Sequence, residues 1–209
     1  ASRTLFASSF FLVFLAVLLS GLYYRGIITF LPDLLTVPGV SAFGVTGLEL
    51  DSSRYLYASL LIIGVIGQYI GGKLTDRIAP EYGLIGAYGV LTLLALAFVP
   101  AAESAVLLVG VSGALGFVLF GIQPLHQSLV AKHSSTDVHG LSYGYTYLGL
   151  FGIGGLGAAI AGGALTYLSE GGLFFVLAGI SVASVAAIAL LVRRNLGSQD
   201  VHTRANGRP

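Results

Sequence analysis

Six long apolar runs, each with few or no charges, punctuate this sequence and limit its fold more than any other feature. A run of about 18 or more such residues reads as a transmembrane helix. The runs are Leu5 to about Leu31, Tyr55 to Gly72, Gly83 to Val99, Ala105 to Ala131, about Leu141 to Leu168, and Leu173 to Val192. The longest, at about 27 residues and 1.5 Å rise each, is roughly 40 Å long. Against a hydrocarbon core of about 30 Å, the first, fourth and fifth helices must tilt, bend or protrude.

Composition excludes the soluble alternatives. Of 209 residues, 56% are hydrophobic and 9% charged, where a soluble domain carries about 25% charged residues to wet its surface. A chain this short cannot hide that much apolar surface in one globule. A cytosolic enzyme, a nucleic-acid binder and a disordered regulator are therefore excluded, and the 10 Lys+Arg against 9 Asp+Glu give no basic field for DNA. With no cysteine there is no disulfide framework, thiolate metal site or Cys nucleophile. The expected fold is all-α, an integral membrane bundle of six spans, with no cofactor and no metal.

Positive charge sets the expected orientation. Arg3, Lys73, Arg77, Lys132, Arg193, Arg194, Arg204 and Arg208 fall on one side and only Arg54 on the other, beside Glu49, Asp51, Glu103 and Glu170. Both ends are thus expected in the cytoplasm, across a plasma membrane, with residues 195–209 as a polar, irregular tail. The stretch Pro32 to Arg54 is the one long loop, either a cap on the outer mouth or a plain linker.

Thirty glycines, about twice the usual share of about 7%, suit close helix packing in lipid, where small residues let backbones approach. Gly67 and Gly71 form a GxxxG pair, and Gly149, Gly152, Gly154, Gly155 and Gly157 crowd the fifth run before Gly162 and Gly163. Either static packing or a rocking interface satisfies that pattern.

Two enzyme-like or channel-like readings fail on residues. Gly110-Val111-Ser112-Gly113 resembles the string of rhomboid intramembrane proteases, but that chemistry needs a base within reach of the serine. The sixth run has no histidine; His126, His133, His139 and His202 lie at or beyond the cytoplasmic ends of their spans. An aquaporin-like channel needs paired Asn-Pro-Ala turns, and the only asparagines, Asn195 and Asn206, are in the tail.

After the second run the chain reads Gly71-Gly72-Lys73-Leu74-Thr75-Asp76-Arg77. This resembles the G-x-L-a-D-R signature between the second and third helices of each half of major facilitator superfamily transporters. Ala79-Pro80-Glu81 replace the family's following Gly-Arg-Arg, as in the copy in the second half. Residues 154–163, GGLGAAIAGG, resemble the antiporter signature g-x-x-x-G-P-x-x-G-G, with Ala158 and Ala159 at its glycine and proline. The overall pattern is similar to drug and fosmidomycin-resistance exporters. The resemblance implies the C-terminal six-helix half of a secondary transporter. Such a half moves a small organic molecule outward by alternating access, against a second six-helix bundle that is a separate N-terminal half or another copy. The alternative from another class is a non-transporting membrane bundle that scaffolds or regulates a partner.

The resemblance also implies roles for particular residues. Gly72, Asp76 and Arg77 would form a cytoplasmic gate, with the Asp76 carboxylate favoured against a helix N-terminus of the opposite bundle. Gly154, Gly162 and Gly163 would bend the fifth helix. Along the pathway, Arg25 either snorkels to the outer headgroups or lines a vestibule beside Tyr24. Gln68, Gln123, His126, Tyr143 and Tyr147 offer hydrogen bonds without full charge, suited to amphipathic cargo or to interhelical contact. No Asp or Glu lies in the middle of a run, so a coupling carboxylate is expected in the other bundle.

Overall fold

Apolar side chains surround most of these helices, so sequence periodicity fixes no single buried stripe, and tertiary packing decides which face turns inward. A computed structural model describes residues 9–35, 43–45, 48–50, 52–134 and 136–206. The expected start of the first span at Leu5, Arg3, Arg208 and most of the outer loop lie outside these residues.

The spans are α1 (Phe10–Leu34), α2 (Ser52–Thr75), α3 (Pro80–Ala101) and α4 (Ala105–His133), then a fifth in two helical pieces, then α7 (Glu170–Asn206). The fifth comprises α5 (His139–Tyr147), a π-helical turn over Leu148–Gly152, a 3-10 turn over Ile153–Gly155, and α6 (Leu156–Tyr167). Six helices are long and apolar enough to cross a bilayer, the last counted over Glu170–Leu196. Between α1 and α2, β1 (Phe43–Val45) pairs antiparallel with β2 (Leu48–Leu50), Gly44 facing Glu49. This short hairpin in the connection between the first two spans is the one departure from an all-α chain among the described residues.

Helix ends run a few residues past the apolar runs, because polar residues at a boundary do not by themselves stop a helix. Pro80, at the first helical position after extended Ala79, starts α3 where a missing N–H costs nothing. The segment from 195 onward departs from expectation: α7 continues through it to Asn206. No proline interrupts that stretch, and its Arg, Leu and Ala residues favour helix.

The neighbours follow the order α2–α4–α3–α7–α1–fifth span, and α1 also touches α4 across the middle. Advancing every span by three maps these pairings onto themselves. The parallel pair α2–α4 becomes the parallel pair of fifth span and α1, α3–α4 becomes α7–α1, and α3–α7 is unchanged. Because three is odd, the two triplets run in opposite directions through the bundle.

Both parallel pairs are held by glycine. A Cβ at Gly67 would collide with the Phe117 carbonyl oxygen, and one at Gly71 with that of Gly121. On the other pair, a Cβ at Gly157 would collide with the Leu22 carbonyl, and one at Gly154 would come within 2.8 Å of Gly21 Cα. The interior between α1, α3, α4 and α7 is filled by side chains such as Phe10, Ile27, Leu84, Leu91, Leu119 and Phe174. Phe98 stacks on Phe174 at 4.0 Å, joining α3 to α7.

Candidate functional site

The end of the bundle where α1 begins is the proximal end. Four spans converge on a recess of about 190 Å³, lined by Tyr24 of α1, Gln68 of α2, Phe120 and Gln123 of α4, and Leu150 and Phe151 of the fifth. Three of these, Tyr24, Gln68 and Gln123, are residues the sequence nominates for a pathway. Phe120, Leu150 and Phe151 are not; the signals were their spacing, Phe120 one turn from Gln123 and Phe151 one turn from Tyr147. The Tyr24 ring meets Phe120 edge-on at 5.9 Å, and Tyr147 stacks on Phe151 at 5.9 Å.

Arg25 stands beside this recess, its guanidinium carbon 6.0 Å from the centre of the Phe151 ring, within cation–π range. Phe10 and Leu34, the ends of α1, are about 22 Å and about 14 Å away along the axis. Arg25 therefore lies in the interior of α1, beside the recess. No carboxylate forms an ion pair with it among the described residues.

Irregular backbone borders the recess on two sides. Pro124 lies inside α4 and has no N–H, so the Phe120 carbonyl loses its usual helical donor. Opposite, the π turn carries Leu150. Such turns recur at functional sites, and non-helical backbone at membrane depth is tolerated where it is buried or lines a cavity. The distortion of the fifth span includes Gly154, whereas Gly162 and Gly163 lie in regular helix α6. Bending thus falls a turn or more before those two glycines, where the chain passes Gly21 of α1.

Other nominated residues lie elsewhere. His126 is buried and away from the recess: its Nε2 is 3.0 Å from the Tyr88 hydroxyl of α3. Tyr143 is half-buried and meets the His139 ring edge-on at 6.2 Å. Asp76 and Arg77 form an exposed turn after α2, with the Arg77 N–H donating to the Leu74 carbonyl at 3.0 Å. Gly72 faces open space; Gly67 and Gly71 carry the close packing of α2. Ser112 is buried with no hydrogen-bond partner for its hydroxyl among the described residues, so no base stands beside it.

A polar network that the sequence did not reveal ties four helices at the proximal end. Glu81 of α3 is buried and pairs with Lys132 of α4 at 2.8 Å. His133 Nδ1 lies 3.1 Å from the Leu129 carbonyl and so donates to it, which leaves Nε2 to accept from Asn195 Nδ2 of α7, also at 3.1 Å. The Ser9 hydroxyl donates to Asn195 Oδ1 at 3.4 Å, adding the start of α1. Lys73, Arg77, Lys132, Arg193 and Arg194 all belong to this end, against Arg54 at the other.

A second, larger groove of about 310 Å³ runs between α2 and α3 over Phe117, Gly121 and Leu125 of α4, and its lining is almost wholly apolar. Polar groups are found instead at the smaller recess and at the Glu81–Lys132 network. No known family model matches the chain, and no curated protein matches it.

Proposed function

We propose that this chain is one six-helix half of a secondary transporter of the major facilitator type, moving a small organic molecule outward by alternating access. The observation that carries the reading is the convergence of Tyr24, Gln68 and Gln123 from three spans on one recess beside Arg25. Intramembrane polar and ionisable groups are expensive in lipid and mark pathways. The three-span pairing symmetry supports the same reading, since inverted three-helix repeats nested in each six-helix half build these carriers around a midplane site.

In this reading the proximal end, rich in Lys and Arg, is cytoplasmic in a plasma membrane. Apolar side chains exposed on α3 and α7, such as Leu93 and Phe175, face lipid. The face carrying the recess meets a second six-helix bundle, either a separate half or another copy. Asp76 and Arg77 latch against that bundle when the cytoplasmic side closes. The glycine-packed pair of α2 and α4 acts as a rigid unit, and the distorted fifth span absorbs the change of shape.

Reconstituted counterflow tests this. Vesicles preloaded with a panel of small organic acids, amines and neutral amphiphiles are expected to accumulate labelled cargo faster than empty vesicles for at least one compound. Gln123→Leu should abolish that gain. Flux no greater than in empty vesicles across the panel, with the chain folded, would favour a scaffolding bundle.

A further inference from the structure

We propose that the recess selects an amphipathic organic anion, its acidic head held at Arg25 and its apolar body against Phe120, Leu150 and Phe151. This rests on the reading of the recess as the cargo site and adds the charge of the cargo.

Arg25 is half-buried inside an apolar helix, and a charge carried there is favoured by an opposite charge or a set of acceptors. Its guanidinium carbon lies 6.0 Å from the centre of the Phe151 ring, and among the described residues no carboxylate pairs with it.

The lining next to it fits the rest of such a molecule. Gln68 and Gln123 supply amide donors, Tyr24 a phenol, and Phe120, Leu150 and Phe151 an apolar wall; among the described residues no carboxylate lines the space. A cationic cargo would meet the Arg25 charge with nothing to offset it. A neutral cargo would leave that charge uncompensated. A carboxylate or phosphate head satisfies it through two parallel N–H···O bonds, the geometry for which a guanidinium is shaped.

The test uses the full chain in lipid nanodiscs and three probes that share one body: 4-phenylbutyrate, 4-phenylbutyramide and 4-phenylbutylammonium. Equilibrium binding is expected to be about tenfold tighter for the carboxylate than for the amide, with the ammonium weakest. Arg25→Gln should erase the preference and Arg25→Lys should keep part of it, with thermal melts confirming that both variants fold. Equal binding of all three probes, abolished by Gln123→Leu, would overturn charge selection and leave the cargo site standing. Carboxylate binding unchanged in Arg25→Gln would overturn it too, as expected if a carboxylate of a second bundle is the natural partner of Arg25. Failure of every probe to bind would overturn both the inference and the cargo site.

Discussion

The Tyr88 hydroxyl and His126 Nε2 lie 3.0 Å apart in the closed interior between α3 and α4. This histidine is a structural group, satisfied inside the bundle and remote from the recess. Tyr88→Phe removes its partner, and the loss should be about 0.5–2 kcal/mol, the range for an interhelical hydrogen bond in a membrane protein. Thermal unfolding in detergent measures that loss, and probe binding at the recess should be unchanged.

Backbone contact between α2 and α4 makes a second expectation. A side chain at Gly67 must displace the Phe117 carbonyl, so Gly67→Val should destabilise by about 1–3 kcal/mol or more, as overpacking does. Gly86→Ala, where an added Cβ meets nothing within 4 Å, should stay within about 0.5 kcal/mol. Equal effects in melting experiments would mean that α2 and α4 are not in backbone contact.

The six spans were legible because lipid demands long apolar helices, and each expected run falls on one helical span. Which neighbour a residue meets was not legible. Gln123 and His126 are one turn apart on α4, yet the first lines the recess and the second is buried against Tyr88. An apolar helix carries too little amphipathic signal to separate those two directions. The fifth span shows the same limit: glycines at 149–157 and at 162–163 look alike in sequence, and the break falls where the chain passes Gly21. Arg25 is one more case: the sequence put it inside a span, and only the fold sets it beside the recess. The pairing of Glu81 with Lys132 joins residues 51 positions apart, a separation no local pattern reports.

That ion pair gives a third expectation. Glu81 is buried while Lys132 is half exposed, so removing the cation leaves a buried carboxylate with His133 Nε2 3.6 Å away. Lys132→Met should therefore destabilise by about 1–3 kcal/mol. Adding Glu81→Gln to it should recover part of the loss, because the amide needs no counter-charge. A double-mutant cycle in melting experiments reads the coupling directly, and strict additivity would show that the two residues do not interact.

Asp76 gives the fourth. It sits in an exposed turn, so Asp76→Asn should leave stability within about 0.5 kcal/mol of the parent. Counterflow should nevertheless fall about tenfold if the carboxylate latches a second bundle against its helix dipole. Unchanged flux would confine Asp76 to a solvated turn.

If the face formed by α1, α2, α4 and the fifth span lines an aqueous pathway, single cysteines report it directly, because the chain has none of its own. Single cysteines at Gln68, Gln123 and Phe151, with controls at Leu93 and Phe175, can be exposed in intact membranes to a charged, membrane-impermeant thiol reagent. The recess positions should react at least about tenfold faster than the two controls, since a thiol in lipid neither ionises nor meets the reagent. Equal, slow labelling at all five positions would contradict the account, leaving a bundle sealed on every side by lipid.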